Sequence, residues 1–297
     1  MTFSLNHYLK ERSQLVEREL SAIVVSSSGP ASKLFEAMRY SLLDGGKRLR
    51  PILALGACEA VGGRIEDALG FACALEMIHT YSLVHDDLPC MDDDDLRRGR
   101  PTNHKVYGEA MATLAGDALL TDAFGVVAKS PVAHRNPAIV IETIAELSHA
   151  AGSGGMVAGQ VIDLANEGLR LNIEQLEYLH ALKTGALFHI SVRGGGRLGG
   201  ASPEQLEHLS AYARSVGLCF QVVDDLLDVE GTAEQMGKRT QKDLQAGKNT
   251  YPGLLGVERS RALAIDLKNR AIAALAGFGA GATPLRAIAT FVVERKL

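Results

Sequence analysis

The chain has 297 residues and a formal charge of −4, enough for one large domain or two ordinary ones around a deep core. Hydrophobic residues make up 46% and aromatics only 5%, with no Trp, a profile that favours packed helices over a sheet sandwich. The mild negative charge argues against a nucleic-acid partner held by a basic surface.

Residues 1–26 carry Leu5, Leu9, Leu15, Val16, Leu20 and Ile23 on one face of an amphipathic helix. No basic segment followed by an apolar run opens the chain, so a cytoplasmic protein without a signal peptide is expected. A Ser-Ser-Ser-Gly-Pro loop at 26–30 leads into a second helix over 31–43, which Gly45-Gly46 stops. Pro51 suits the first turn of a third helix, and Gly62-Gly63 ends it. A long helix is expected over 65–87. Its apolar stretch, 67–85, is interrupted by Glu76 and His79, so it reads as a buried core helix rather than a membrane span.

Further helices are expected over 106–129, 137–152, 173–194, 203–229 and 260–277, with a last one over 284–295. Ser202-Pro203 is a good helix start. Strand alternation is essentially missing, and no linker, low-complexity tract or repeat divides the chain. The expectation is one all-α domain over residues 1–297. Cys58, Cys73, Cys90 and Cys219 form no CxxC pair and read as buried or semi-buried free thiols of a reducing cytosol.

Chemistry concentrates in two acidic motifs. The first runs Asp86-Asp87-Leu88-Pro89-Cys90-Met91-Asp92-Asp93-Asp94-Asp95, and the second is Asp224-Asp225-Leu226-Leu227-Asp228. On a helix Asp224 and Asp228 differ by about 40° and share a face, with Asp225 about a quarter-turn away. Asp86 and Asp92 would differ by about 240° and could not converge on a continuous helix. Pro89 disrupts it, so the expectation is a helix ending near Asp87 and a turn carrying Asp92 back towards Asp86. Crowded carboxylates shift towards protonation unless a cation neutralises them. Oxygen-only donors suit Mg²⁺, which keeps waters and substrate phosphates among its ligands. A solvated acidic loop is the plain alternative for Asp93, Asp94 and Asp95. No EF-hand loop is present.

Fixed positive charge accompanies these motifs. Lys47 and Arg50 lie three apart in Gly45-Gly46-Lys47-Arg48-Leu49-Arg50-Pro51, and Arg97-Arg98 follows the first acidic run. Arg forks and Lys point charges both suit phosphate oxygens. Lys183, Lys238 and Lys248 have small neighbours that leave the ammonium accessible, although each alone reads as a surface lysine. His79 is about 20° from Asp86 in projection and faces the same way. No HExxH, P-loop or dinucleotide fingerprint occurs, and Gly194-Gly195-Gly196 lacks a preceding strand.

With GGKRLRP at 45–51, IHTYSLVHDDLPCMDDDDLRRGRPTNH at 78–104, GQVIDL at 159–164, KTG at 183–185 and FQVVDDLLD at 220–228, the sequence resembles the short-chain trans-polyprenyl diphosphate synthases. It is most similar to the bacterial farnesyl diphosphate synthases, from about Leu34 to the C-terminus. The resemblance implies a single large helical bundle with a central cavity, the isoprenoid synthase fold, working as a homodimer. It implies that Asp86 and Asp92 bind two Mg²⁺ and Asp224 a third, with Mn²⁺ as a possible substitute. Asp228 would act through water, with Asp87 and Asp225 as less direct members. Arg97, Lys183 and Lys238 would hold the allylic diphosphate; Gly46, Lys47, Arg50, His79 and Arg98 would hold isopentenyl diphosphate. Thr184 and Gln221 would face the allylic cation, with Gln160, Asp163 and Lys248 lining the same cavity.

Ionisation of the allylic diphosphate, attack by the isopentenyl double bond and proton loss then need no side-chain nucleophile, and none is evident. In projection Ser82 points into the cavity and Tyr81 sits on its flank. In the family an aromatic at Tyr81, with the two-residue expansion of the first motif, is typical of a fifteen-carbon product. Cys90 and Asp122 depart from the family pattern. The competing expectations are a geranyl or geranylgeranyl diphosphate synthase, a terpene cyclase, a non-catalytic synthase partner subunit and a cation-buffering acidic protein.

Overall fold

The computed structural model describes residues 3–230 and 249–295. Helix α1 (Leu5–Ile23) starts where the Ser4 hydroxyl accepts the His7 N–H, and it buries Tyr8, Val16 and Leu20. Helix α2 (Ser32–Leu42) follows. Helix α3 (Leu49–Ala60) departs from Arg48 at φ 48 and is buried over most of its circumference. Helix α4 (Ile65–Asp86) ends one residue before the expected limit and has no continuous polar face.

A helix apolar all round must be covered all round. Here α3 and α10 (Ala186–Leu198) lie between two apolar cores. On one side Ala54, Leu55, Leu187 and Ile190 pack with α1, α2, α4, α6 (Glu109–Ala128) and α7 (Pro137–Ala151). On the other, Ile52, Leu53, Phe188 and Val192 pack with α11 (Pro203–Glu230), α13 (Val257–Ala274) and α14 (Thr283–Glu294). Gly194-Gly195-Gly196 belongs to this arrangement. A Cβ on Gly195 would lie 2.1 Å from the Ala54 carbonyl oxygen, so the glycine sets how closely α10 crosses α3.

Several expected elements are revised. The helix expected over 106–129 is two: α5 (Asn103–Tyr107) and α6 are separated by Gly108 at φ 86. The one expected over 173–194 comprises α9 (Ile173–His180), a π-turn at Ala181–Gly185 and α10, which runs on to Leu198. A mutual side-chain cap between Asn172 and Gln175 opens α9. Helix α8 (Met156–Ala165) was not anticipated, because the Gly-Ser-Gly-Gly lead-in at 152–155 reads as a loop. The short α12 (Tyr251–Leu255) was also missed; the Thr250 hydroxyl caps it.

The strands among the described residues are β1 (Leu96–Arg97) and β2 (Arg100–Pro101), paired antiparallel. Their two-residue turn places Arg98 at φ 52 and Gly99 at φ 77, the double left-handed geometry that tight hairpins need. The Tyr40 hydroxyl on α2 donates to the Pro101 carbonyl at 2.8 Å and docks the hairpin.

All four cysteines are free, and Cys58, Cys73 and Cys219 are buried as expected. Burial pushes the Cys58 thiol up to about 12. Cys90 is exposed, which corrects the expectation of a sheltered thiol. Asp122 lies on the exposed side of α6. Among the described residues that helix, rather than the stretch 67–85, is the one long and apolar enough by length and composition to cross a membrane, and only 33% of its apolar window is buried.

Candidate active site

The first acidic motif folds as Pro89 requires. Helix α4 stops at Asp86, and the chain turns so that the Asp92 N–H donates to the Asp86 carbonyl at 2.9 Å. Asp93, at φ 46, donates its N–H to the Leu88 carbonyl at 3.2 Å and completes the turn. The carboxylates of Asp86 and Asp92 are half-buried and accept no hydrogen bond or ion pair from a described residue. Burial raises the Asp86 carboxyl to about 6; Lys183 and Arg97 oppose the rise, while Asp92 and Asp87 reinforce it.

Asp87 is placed quite differently. It is 3% exposed and gripped by Arg97, whose Nε lies 2.9 Å from each carboxylate oxygen and whose Nη2 lies 2.7 Å from Oδ1. The β1–β2 hairpin makes that grip possible by turning Arg97 back onto the end of α4. Arg97, expected beside the allylic diphosphate, is thus engaged by a carboxylate in this structure.

The second motif divides in the same way. Asp224, on α11, receives Arg295 Nη2 at 2.5 Å, and Arg295 also reaches the Phe220 carbonyl at 3.0 Å and covers the Phe220 ring at 4.1 Å. Arg295 escaped the sequence reading because a basic residue near a chain end carries no local pattern. Burial raises the Asp224 carboxyl, opposed by Arg295, Lys47 and Arg50, so α11 faces the start of α3.

Asp225, 6% exposed, belongs to an internal network. It accepts the Gln221 side-chain amide at 2.8 Å and the Tyr251 N–H at 2.9 Å. An ionised carboxylate only accepts, so the Gln221 Nε2 must point to Asp225 and its Oε1 to the Thr184 hydroxyl, 3.3 Å away. The structure thus gives Asp225 a scaffolding position behind Gln221. Asp228 follows one turn after Asp224 and is half-buried. Lys238 and Lys248 lie outside the described residues.

The π-turn at Ala181–Gly185 adds a residue to the helical turn, which lets consecutive side chains, Lys183 and Thr184, both face inward. Lys183 Nζ meets Asp163 at 2.5 Å, so the unanticipated α8 carries the partner of the KTG lysine, together with Gln160. Asp163, Lys183, Thr184, Gln221, Asp225 and His180 line a cavity of about 130 Å³. His180, also missed, stacks on Tyr251 with ring centroids 5.7 Å apart, and both its ring nitrogens are buried without a partner. Burial lowers it to about 4, so the ring is neutral.

Basic residues line the facing side. Arg48 is a structural member, 2% exposed, donating to Glu76 at 2.7 Å and to the Leu42 carbonyl at 2.7 Å. Arg50 differs: its guanidinium lies 5.1 Å from the Phe188 ring centre, its Nε is buried without an acceptor, and no described carboxylate pairs with it. Lys47 and Gly46 are exposed, and Gly46, at φ 123, lies under the Arg98 guanidinium. Arg98 donates to the Gly45 carbonyl at 2.5 Å. His79 is held neutral, chiefly by burial and then by Arg50, Arg98, Arg97 and Arg48. Further along α4, Tyr81 is buried, and the half-buried Ser82 donates to the His79 carbonyl at 2.9 Å.

Among the described residues no three His, Cys, Asp or Glu side chains gather closely enough to hold a metal unaided. Two carboxylates with oxygen donors only and no described partner suit a hard cation that takes its remaining ligands from a polyanionic substrate. A zinc-type closed cage does not fit.

Comparison with known proteins identifies the family of the chain. The profile described as polyprenyl synthetase matches residues 31–273. The chain is 48% identical over 300 residues to an Arabidopsis thaliana protein named heterodimeric geranylgeranyl pyrophosphate synthase large subunit 1, covering 99% of this chain and 80% of that protein. It is 49% identical over 298 residues to a dimethylallyltranstransferase of Fischerella ambigua, covering 99% and 84%. Among solved structures, an FPP/GFPP synthase from Zymomonas mobilis superposes with a TM-score of 0.87 at 40% identity, covering 97% of this chain and 98% of that one.

Proposed function

The chain belongs to the polyprenyl synthetase family and is a prenyltransferase, and from that premise we propose that it condenses isopentenyl diphosphate with dimethylallyl and geranyl diphosphates to yield farnesyl diphosphate. The observation that carries this reading is the pair of half-buried carboxylates Asp86 and Asp92 without a described partner, in a site that also holds the half-buried Arg50, whose Nε has no acceptor and which lies on the side of Asp224. A protein with no polyanion to bind gains nothing from desolvating both.

Asp86 and Asp92 would hold two Mg²⁺ ions and Asp224 a third, Mn²⁺ serving as a substitute. Bound there, the metal neutralises the diphosphate and makes it a better leaving group. Lys183, held by Asp163, and Arg97, held by Asp87, fix positive charge beside the allylic diphosphate. Arg50, Lys47 and Arg98 bind the isopentenyl diphosphate, and neutral His79 adds a hydrogen bond without adding charge. The Gln221 Oε1 and the Thr184 oxygen lone pairs offer negative dipole to the allylic carbon as its C–O bond breaks. The apolar α4 wall keeps water from capturing that cation. The isopentenyl double bond then forms the new C–C bond, and the diphosphate oxygen takes the proton.

Product length is the finer point. Tyr81, buried on α4 one turn and a residue before Asp86, is read as the stop that limits growth to fifteen carbons. A twenty-carbon product is the second reading, favoured by relatives named geranylgeranyl pyrophosphate synthase. Incubation with Mg²⁺, isopentenyl diphosphate and five- or ten-carbon allylic diphosphates, followed by product chromatography, tests both. Wild type should yield the fifteen-carbon product and Tyr81→Ala longer ones. Absence of turnover would point to a non-catalytic partner subunit, and unchanged length in Tyr81→Ala would remove Tyr81 as the stop.

The partly buried α6 supports a further part of the reading. It exposes Leu114, and neighbouring α7 and α8 expose Ile141, Val157 and Val161. We take this apolar face to be covered by a second copy of the chain.

A further inference from the structure

Tyr81 has no polar anchor: its hydroxyl makes no hydrogen bond to a described residue, so packing alone sets the position of the ring. Within that packing its ring meets His85, one turn along α4. The two rings meet edge to face, centroids 5.7 Å apart and planes at 78°. His85 is itself held by α6, where its Nε2 lies 3.0 Å from the Thr113 carbonyl and 3.9 Å from the Asp117 carboxylate. A carbonyl only accepts, so Nε2 carries the proton and the ring orientation is defined.

The imidazole reaches that carbonyl because residue 116 is glycine. A Cβ on Gly116 would lie 2.2 Å from His85 Nε2 and 2.5 Å from Cδ2. Gly116 lies inside α6 with ordinary helical backbone, where glycine weakens a helix and its conformational freedom is not used. The space it leaves for the imidazole is what the structure uses.

We propose that His85 and Gly116 are positioning residues for product length. The glycine admits the imidazole between α4 and α6, the imidazole holds the Tyr81 ring, and growth stops against this three-residue stack rather than against Tyr81 alone. This rests on Tyr81 being the stop, as read above. The His85 side chain is 27% exposed, so a ring driven off Gly116 has solvent to swing into and leaves Tyr81 unsupported.

The test is chromatography of the products made by the full-length enzyme at saturating Mg²⁺, scored as the ratio of the product one isoprene unit longer to the main wild-type product. Tyr81→Ala is the reference. His85→Ala removes atoms without adding a clash and should raise the ratio about tenfold. Gly116→Ala should raise it likewise, and the double variant should exceed His85→Ala by nothing, because both changes act through one ring. A merely structural role, or damage to neighbouring Asp86, would lower turnover without lengthening the product. If Tyr81→Ala lengthens the product while His85→Ala leaves the ratio at wild type, the stack is overturned and the Tyr81 reading survives. If Tyr81→Ala itself leaves the ratio unchanged, both fall.

Discussion

Asp86 and Asp87 are identical neighbours, yet burial and partners separate them. Asp87 has Arg97 wrapped around it, whereas Asp86 has no described partner. Removing one member of a buried ion pair strands the other, so Asp87→Ala should cost on the order of 3–5 kcal/mol, measurable as a lower denaturant midpoint. Asp86→Ala should leave the metal-free midpoint unchanged or higher, because it removes a desolvated charge, and should abolish Mg²⁺-dependent turnover. The pH dependence follows from the same carboxyl. Its folded-state pKa is raised to about 6, so the charged form costs stability in the metal-free fold, and that cost is relieved as pH falls through 6. Metal must displace the proton below that point. Titration calorimetry should show Mg²⁺ affinity, in the presence of diphosphate, falling by about tenfold per pH unit below pH 6. A flat profile from pH 7.5 to 5 would remove Asp86 from the metal site.

At the scale of elements, three local irregularities build the site. Pro89 ends α4 and returns Asp92 to Asp86, the β1–β2 hairpin returns Arg97 to Asp87, and the π-turn presents Lys183 and Thr184 together. The first was legible in the sequence, because proline acts on its immediate neighbours. The hairpin was not, since two-residue strands show no alternation. The π-turn was hidden inside an uninterrupted helical pattern, and α8 was hidden by its glycines. Asp225 links two such elements, tying α11 to the start of α12 while orienting Gln221. Asp225→Asn offers Gln221 a side chain that can donate as well as accept and frees the amide to turn. Turnover should fall on the order of 10²-fold while Mg²⁺ affinity stays at wild type, read from steady-state rates across a metal titration. A weakened Mg²⁺ affinity instead would make Asp225 a ligand.

For the whole molecule, two cores share α3 and α10, and the lysine, arginine and aspartate groups converge where the helices from both cores end. The outward side of α6 and its neighbours exposes Leu114, Ile141, Val157 and Val161. If a second copy covers this face, as proposed above, Leu114→Glu places a charge in its middle, and wild type should sediment as a dimer and the variant towards monomer. A monomeric wild type, or a dimer that the variant leaves unchanged, would remove this face as the contact.

The amino-acid sequence by itself determined the helical class, the break at Pro89, the shared face of Asp224 and Asp228, and the residues grouped as cationic. Each of these depends on interactions within a turn or two of helix, where spacing alone dictates geometry. Only the tertiary structure decided which side chains lie against one another. Arg48 with Glu76, Arg97 with Asp87, Lys183 with Asp163, Arg295 with Asp224 and His85 against Gly116 are all pairings between different elements. Such pairings depend on which helices cross and how closely, and packing sets that across the whole fold. Among the described residues Asp86, Asp92 and Arg50 keep no such partner, and with Asp224, Lys183 and Arg97 they are the groups that a diphosphate and its metal ions would engage in the proposed reaction.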